Sequence, residues 1–149
     1  MQAVIFIGIQ AAGKSTFFKE RFFDTHVRIN LDMLKTRYRE KQFLDTCLKA
    51  KQSFVVDNTN PTINDRERYI LPAREANFTI IGYYFESKII ASMQRNNRRE
   101  GKQRIAEPGI LAAYDKLQIP TLREGFDQLY YVKIDPKGKF VVEEWREEV

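Results

Sequence analysis

A chain of 149 residues with 43% hydrophobic and 13% aromatic residues can build one packed domain, and is too apolar for a disordered segment. Its one cysteine, Cys47, excludes an internal disulfide, and no apolar run is long enough to span a bilayer. The net charge of +5 is compatible with a polyanionic partner without establishing one.

Ala3 to Ile7 is a short apolar run that reads as a buried strand, and a first strand over Gln2 to Ile7 is expected. Gly8-Ile9-Gln10-Ala11-Ala12-Gly13-Lys14-Ser15 follows, with Thr16 behind it, fitting the GxxxxGK[ST] pattern of a phosphate-binding loop. A helix from Gly13 to about Asp24 comes next, so the loop stands between a strand and a helix as the pattern requires. Val27 to Ile29 is a short second strand ending at Asn30. Helical patterns cover Met33 to about Lys51, with a break expected near Lys41. Ser53 to Asp57 is a third strand, apolar as a buried parallel strand should be. A helix over Asn64 to Ala76 contains Pro72, which should kink or divide it. Thr79 to Phe85 is the fourth strand, and Ser87 caps a helix to about Asn97. The polar stretch after it, about 95–107, reads as a lid. Pro108 suits the first residue of another helix. Leu129 to Ile134 is the fifth strand, and Phe140 to Trp145 closes an edge hairpin over an Asp135 to Gly138 turn. The expected fold is α/β: a five-stranded, mainly parallel sheet flanked by helices, forming a single domain over residues 1–149.

In the loop, Gly8 and Gly13 let consecutive backbone N–H groups turn inward, and Ala11, Ala12 and Thr16 complete the cradle at a helix N-terminus. Lys14 would reach the β- and γ-phosphates of ATP or another nucleoside triphosphate, and the Ser15 hydroxyl would ligate Mg²⁺. Ligands of such sheets bind at the carboxyl ends of the strands, which directs attention to Asp32 and to Asp57-Asn58-Thr59-Asn60-Pro61. Asp32 stands where a kinase acting on an alcohol needs a carboxylate to take the hydroxyl proton, and equally where an ordinary helix cap would sit. Asp57 suits a partner of the Mg²⁺ site, with Asn58 and Thr59 beside it exceeding what a turn needs. Arg95 and Arg99, four apart, can fold over the triphosphate from the lid and neutralise charge on the transferred group. Lys35-Thr36-Arg37-Tyr38-Arg39 either holds the phosphates of an acceptor, with Tyr38 stacking on a base, or is one amphipathic helix with Leu34 and Tyr38 in contact. His26 is expected to have a structural or surface role, and Cys47 to be a small buried apolar residue rather than a catalytic one.

With those residues in place, the chain resembles the polynucleotide 5′-kinase family, most closely its mammalian kinase–phosphatase branch. The resemblance runs through Gly8 to Phe17, Asn30-x-Asp32, Asp57-Asn58-Thr59-Asn60-Pro61, Arg66-x-Arg68-Tyr69, Asn96-Asn97-Arg98 and Pro120-Thr121-Leu122-x-Glu124-Gly125-Phe126. It implies transfer of the γ-phosphoryl of ATP to the 5′-hydroxyl end of DNA or RNA, a step in end healing. It gives Lys14 and Ser15 the phosphate and Mg²⁺ roles, Asp32 that of general base, and Arg95 and Arg99 those of lid arginines. Three positions depart from the family pattern. Lys35 stands where phage members carry an acceptor-gripping Arg, Leu31 where relatives commonly carry Arg, and Asn58 where the phage enzyme has its strand-three carboxylate. The expected protein is a monomeric kinase unit in the cytoplasm, with no membrane association, no secretory leader and no phosphatase domain.

Two other classes compete with that reading. One is a kinase of small hydroxyl compounds, such as a nucleoside, sugar or antibiotic, on the same scaffold. The other is a nucleotide-binding switch without turnover, in which Asp32 would be superfluous.

Overall fold

The computed structural model describes residues 1–86, 96–99, 101 and 107–146. Among these, β1 (Gln2–Ile7) leads through the loop into α1 (Lys14–Arg21), followed by β2 (Val27–Ile29), α2 (Leu31–Leu34), α3 (Arg37–Ala50) and β3 (Phe54–Val56). Then come α4 (Ile63–Glu75), β4 (Thr79–Phe85), α5 (Glu107–Lys116), a 3₁₀ turn at Leu122–Glu124, β5 (Gln128–Ile134) and β6 (Phe140–Glu144). The strands form a six-stranded sheet in the order β2-β3-β1-β4-β5-β6. Five strands are parallel, as expected. The hairpin strand β6 joins the same sheet as a sixth, antiparallel member, with Ile134 opposite Phe140 and Val132 opposite Val142.

The period-two alternation of β1 sorts its side chains to two cores. Ala3, Ile5 and Ile7 pack with Leu44 and Cys47 of α3 and with Tyr69, Ile70 and Ala73 of α4. Val4 and Phe6 pack on the opposite face with Phe17, Phe18 and Phe22 around α1 and with Ile110 of α5. On that second face Phe6, Phe17, Phe22 and Phe85 meet edge-on or tilted, at centroid separations of 5.0–5.8 Å, the geometry that aromatic quadrupoles favour. β1 lies between β3 and β4 with every residue from Ala3 to Ile7 fully buried, so the loop at its carboxyl end sits mid-sheet.

Three helical segments differ from the sequence expectation. The break in the segment after β2 falls at Lys35 and Thr36, well before Lys41. Lys35 adopts a positive φ of 77° at the end of α2, and the Thr36 side chain accepts from Arg39 N to start α3. Leu34 and Tyr38 therefore belong to different helices. Leu34 is buried and Tyr38 is 73% exposed, so the single amphipathic helix is not formed. Pro72, in turn, does not divide α4. It removes one backbone donor near the helix end, and Tyr69, Ile70 and Ala73, all fully buried against the sheet, carry the helix past it. α1 is also shorter than expected, ending at Arg21. The helix expected from Ser87 and most of the 95–107 segment, Arg95 included, lie outside the described residues.

Two segments distant in sequence meet through charge. Arg66 of α4 is fully buried and pairs with Glu124 through two bonds, Nε–Oε1 at 2.6 Å and Nη2–Oε2 at 3.1 Å. Its third contact, Nη1 to Asn60 O at 3.0 Å, reaches the loop after β3. Gly125 follows with a φ of 119°, a conformation that strains any L side chain, and its open face is covered by the Arg74 guanidinium. Only glycine fits that position. The motifs at 66–69 and 120–126 are thus two halves of one buried contact.

Candidate active site

The loop after β1 is held open from below. Gly8 N donates to Thr59 O at 3.0 Å, and Asn60 Nδ2 donates to Phe6 O at 2.8 Å. Gly13, at φ 97°, starts α1 and approaches the hairpin so closely that a Cβ would meet Phe140 at 3.0 Å and Ile134 at 3.1 Å. Ala11 also lies in the left-handed region, at φ 61°, where a Cβ is unfavourable. Ala11→Gly is therefore expected to stabilise the protein by about 0.5–1 kcal/mol, net of the added freedom of the unfolded chain. A urea midpoint below that of the parent would contradict this.

Lys14 is buried, and its Nζ donates to Gly8 O at 3.0 Å and Ile9 O at 2.7 Å, so the lysine lies along the rim of its own loop. Burial lowers its pKa to about 8. Asp57 and Asp32 act in the opposite sense, and Arg99 adds to the lowering. Lys14 therefore senses the charges of three other residues singled out from sequence. Burial likewise lowers the pKa of Arg99, and Asp57 opposes it.

Ser15 and Asp57 meet directly, Oγ donating to Oδ2 at 3.0 Å. The Asp57 side chain is buried, and Arg28 of β2 adds an ion pair to the same carboxylate oxygen at 2.9 Å while its Nη2 donates to Ser15 Oγ at 3.0 Å. Among the described residues no three His, Cys, Asp or Glu side chains form a protein-only cage. A hydroxyl beside one carboxylate, at a helix N-terminus, is the donor set that Mg²⁺ uses when phosphate oxygens and water complete its shell. These residues fit it.

Asp32 is held out to solvent on a four-residue helix. The helix cap that competed for it is supplied by Asn30, whose Oδ1 accepts from Met33 N at 2.9 Å. Asn30 Nδ2 also donates to Asp57 O at 2.6 Å, and Leu31 N donates to Asn58 Oδ1 at 2.8 Å. Both ends of Asn30 and the side chain of Asn58 thus tie α2 to the loop after β3. Asn58 in turn donates to Glu40 Oε2 at 2.9 Å, and Glu40 accepts from Tyr69 at 3.0 Å and Arg37 at 2.8 Å. Glu40 is 1% exposed, a carboxylate buried because its partners satisfy it.

The expected residues therefore fall in two sets. Gly8, Ala11, Ala12, Gly13, Lys14, Ser15, Asp57 and Arg99 converge at the carboxyl ends of β1 and β3, with Asp32 at the end of β2 near enough to act on Lys14. Thr16 and Lys35 are exposed, and Thr59 contributes its carbonyl to the loop. Arg37 is committed to Glu40 and Tyr69. Sequence reasoning missed Arg28, Glu40 and the Arg66–Glu124 pair. A polar residue within a short strand was the available signal for Arg28. His26 bridges Thr25 and Gln2, and Cys47 is buried, both structural as expected.

A central parallel strand, this loop, and acidic residues at the neighbouring strand ends define a P-loop kinase fold. Solved structures agree. A gluconokinase from Sinorhizobium meliloti 1021 matches with a TM-score of 0.62 and 13% identity, over 89% of this chain and 82% of that one. Kti12 from Chaetomium thermophilum, in complex with ADP-AlF3, matches with a TM-score of 0.64 and 13% identity, over 91% and 92%. No family model matches the chain. Within this class it is related by sequence to the bifunctional polynucleotide phosphatase/kinases. The one from Schizosaccharomyces pombe is 30% identical over 129 residues, 84% of this chain and 32% of that protein. A relative in Acanthamoeba polyphaga mimivirus is 33% identical over 78 residues, 52% of this chain and 18% of its own length. The chain thus spans about a third or less of the length of these relatives. No helix among the described residues is long and apolar enough to cross a membrane.

Proposed function

We propose that this chain is an ATP-dependent polynucleotide 5′-hydroxyl kinase, with Lys14, Asp32 and Arg99 as its catalytic residues. The observation that carries the reading is Asp32. It is an exposed carboxylate relieved of capping by Asn30, fixed at the strand end beside a phosphate-binding loop.

The loop N–H groups and Lys14 bind the β- and γ-phosphates, and Arg99 neutralises charge on the transferred group, a role that the family resemblance extends to Arg95. Ser15, with Asp57 and Asp32, would hold Mg²⁺, which would supply charge neutralisation on the phosphate oxygens. Asp32 orients the 5′-hydroxyl and accepts its proton as that oxygen bonds to the γ-phosphorus. The bond from phosphorus to the β–γ bridging oxygen breaks, and ADP leaves with the electron pair. Lys35 offers positive charge on the acceptor side, Arg37 stands beside it already paired with Glu40, and Asn58 and Thr59 lie at the neighbouring strand end. DNA or RNA ends are the acceptors, and the kinase acts as a monomer.

The test is transfer of labelled γ-phosphate from ATP with Mg²⁺ to 5′-hydroxyl oligonucleotides of DNA and RNA, with 5′-phosphorylated strands as controls. Label confined to the 5′-hydroxyl strands supports the assignment. A protein that binds ATP but labels no strand would move the assignment to a small hydroxyl acceptor.

Nucleotide binding should also carry a proton signature. With a pKa of about 8 in the free protein, Lys14 is partly neutral near pH 8. Phosphate oxygens favour its charged form, raise that pKa and draw in a proton. The heat of ADP binding at pH 8 should therefore vary with the ionisation enthalpy of the buffer, in the direction of uptake, and do so less at pH 6.5. Buffer-independent heats at pH 8 would contradict the neutral fraction.

A further inference from the structure

The position next to the Ser15–Asp57 pair is taken by a cation of the protein's own. Arg28 projects from β2 with its side chain 29% exposed, against 2% for the Asp57 carboxylate. Its Nε donates to Asp57 Oδ2 at 2.9 Å and its Nη2 to Ser15 Oγ at 3.0 Å, while Ser15 Oγ donates to that same Oδ2 at 3.0 Å. Guanidinium, hydroxyl and carboxylate thus form a closed triangle, and the guanidinium lies over the Phe18 ring, 6.0 Å from its centroid. β2 is fixed beneath it, because Asp57 N donates to Ile29 O at 2.8 Å. The two oxygens that Mg²⁺ would use for an inner or water-bridged contact are therefore already bonded to a positive charge.

From this triangle we propose that Arg28 is a built-in counter-cation that uncouples nucleotide binding from Mg²⁺. The inference rests on the nucleotide-binding reading above. Arg28 faces the phosphates from the metal's side, so it supplies positive charge when Mg²⁺ is absent. When Mg²⁺ is present, the guanidinium repels it and competes for the Ser15 oxygen. Both effects lower the factor by which Mg²⁺ tightens nucleotide binding, and by linkage the factor by which nucleotide tightens Mg²⁺ binding is the same.

The experiment is calorimetric measurement of ADP affinity, with Mg²⁺ in excess and with EDTA, for the parent, Arg28→Gln, Arg28→Met and Arg28→Lys. In the parent, the ratio of the two dissociation constants is expected to stay below about tenfold, near the low end of coupling between sites. In Arg28→Gln and Arg28→Met it should rise on the order of tenfold, the scale of one unit charge near a divalent ion in a hydrated site. Arg28→Lys should keep the parent ratio. If Arg28 merely held Asp57 in place, its loss would misplace a metal partner and the ratio would fall. A fall, or no change, overturns the proposal. A parent ratio of about a hundredfold or more, toward the strong end of such coupling, overturns it without any variant. Failure of ADP to bind under either condition removes the nucleotide-binding reading itself, and this inference with it.

Discussion

Asp32→Asn is expected to lower phosphoryl transfer by about 10²–10⁴-fold, the usual contribution of a positioned general base, while leaving ADP affinity and thermal stability close to those of the parent. The separation follows from how α2 is anchored. Asn30 supplies the cap, its amide holds the Asp57 carbonyl, and Leu31 N reaches Asn58. None of these bonds uses the Asp32 carboxylate, which is exposed. The amide is isosteric and can still face the acceptor hydroxyl, but it cannot take the proton. Kinetics on a 5′-hydroxyl oligonucleotide, with a melting curve on the same preparation, checks both halves. Unchanged turnover would remove Asp32 from the chemistry. Lost turnover with a collapsed melting temperature would mean that the carboxylate supports the fold instead.

Glu124→Ala should be the most damaging single change to stability, at about 3–5 kcal/mol, because it leaves a buried guanidinium unpaired. Arg66 has no exposure and Glu124 only 4%, so water cannot replace the lost partner. The damage should not stay local. Arg66 also holds Asn60 O, and the Asn60 side chain holds Phe6 O, one residue from the end of β1. Glu124 further accepts from Thr121 N at 2.9 Å to close its own turn. Chemical denaturation gives the direct measure, and a loss below about 1 kcal/mol, typical of an exposed pair, would show that the buried pair is not what holds these segments. The milder Glu124→Gln, which keeps the shape and one acceptor, should fall between the two.

How far the sequence could be read depended on whether a residue's partner was near it in the chain. The five parallel strands and the phosphate loop were legible because apolar runs and a glycine-spaced motif are local signals. The helix break at Lys35 was not, since it depends on a lysine adopting positive φ, a conformation that composition disfavours. Pro72 misled for the opposite reason: a sound local rule was overridden by the burial of Tyr69, Ile70 and Ala73. In the site, Lys14, Ser15, Asp32 and Asp57 stood out at strand ends. Arg28 and Glu40 did not: a charged residue in a short strand hints at a role but names no partner, and a glutamate in a helix reveals nothing, until the sheet brings β2 beside β3 and α3 beside α4. The sequence motif at 120–126 was visible, but its purpose was not, because its partner Arg66 lies 58 residues away.

That long contact also bears on synthesis. On the ribosome Ser15, the last residue of the glycine loop, emerges 109 residues before Glu124. Until Glu124 emerges, the Arg66 guanidinium and the Asn60 carbonyl beneath the loop lack their anchor, and the carboxyl edge of β1 has no fixed floor. At roughly 5–20 residues per second, the nascent protein would carry an unfinished phosphate cradle for several seconds or longer.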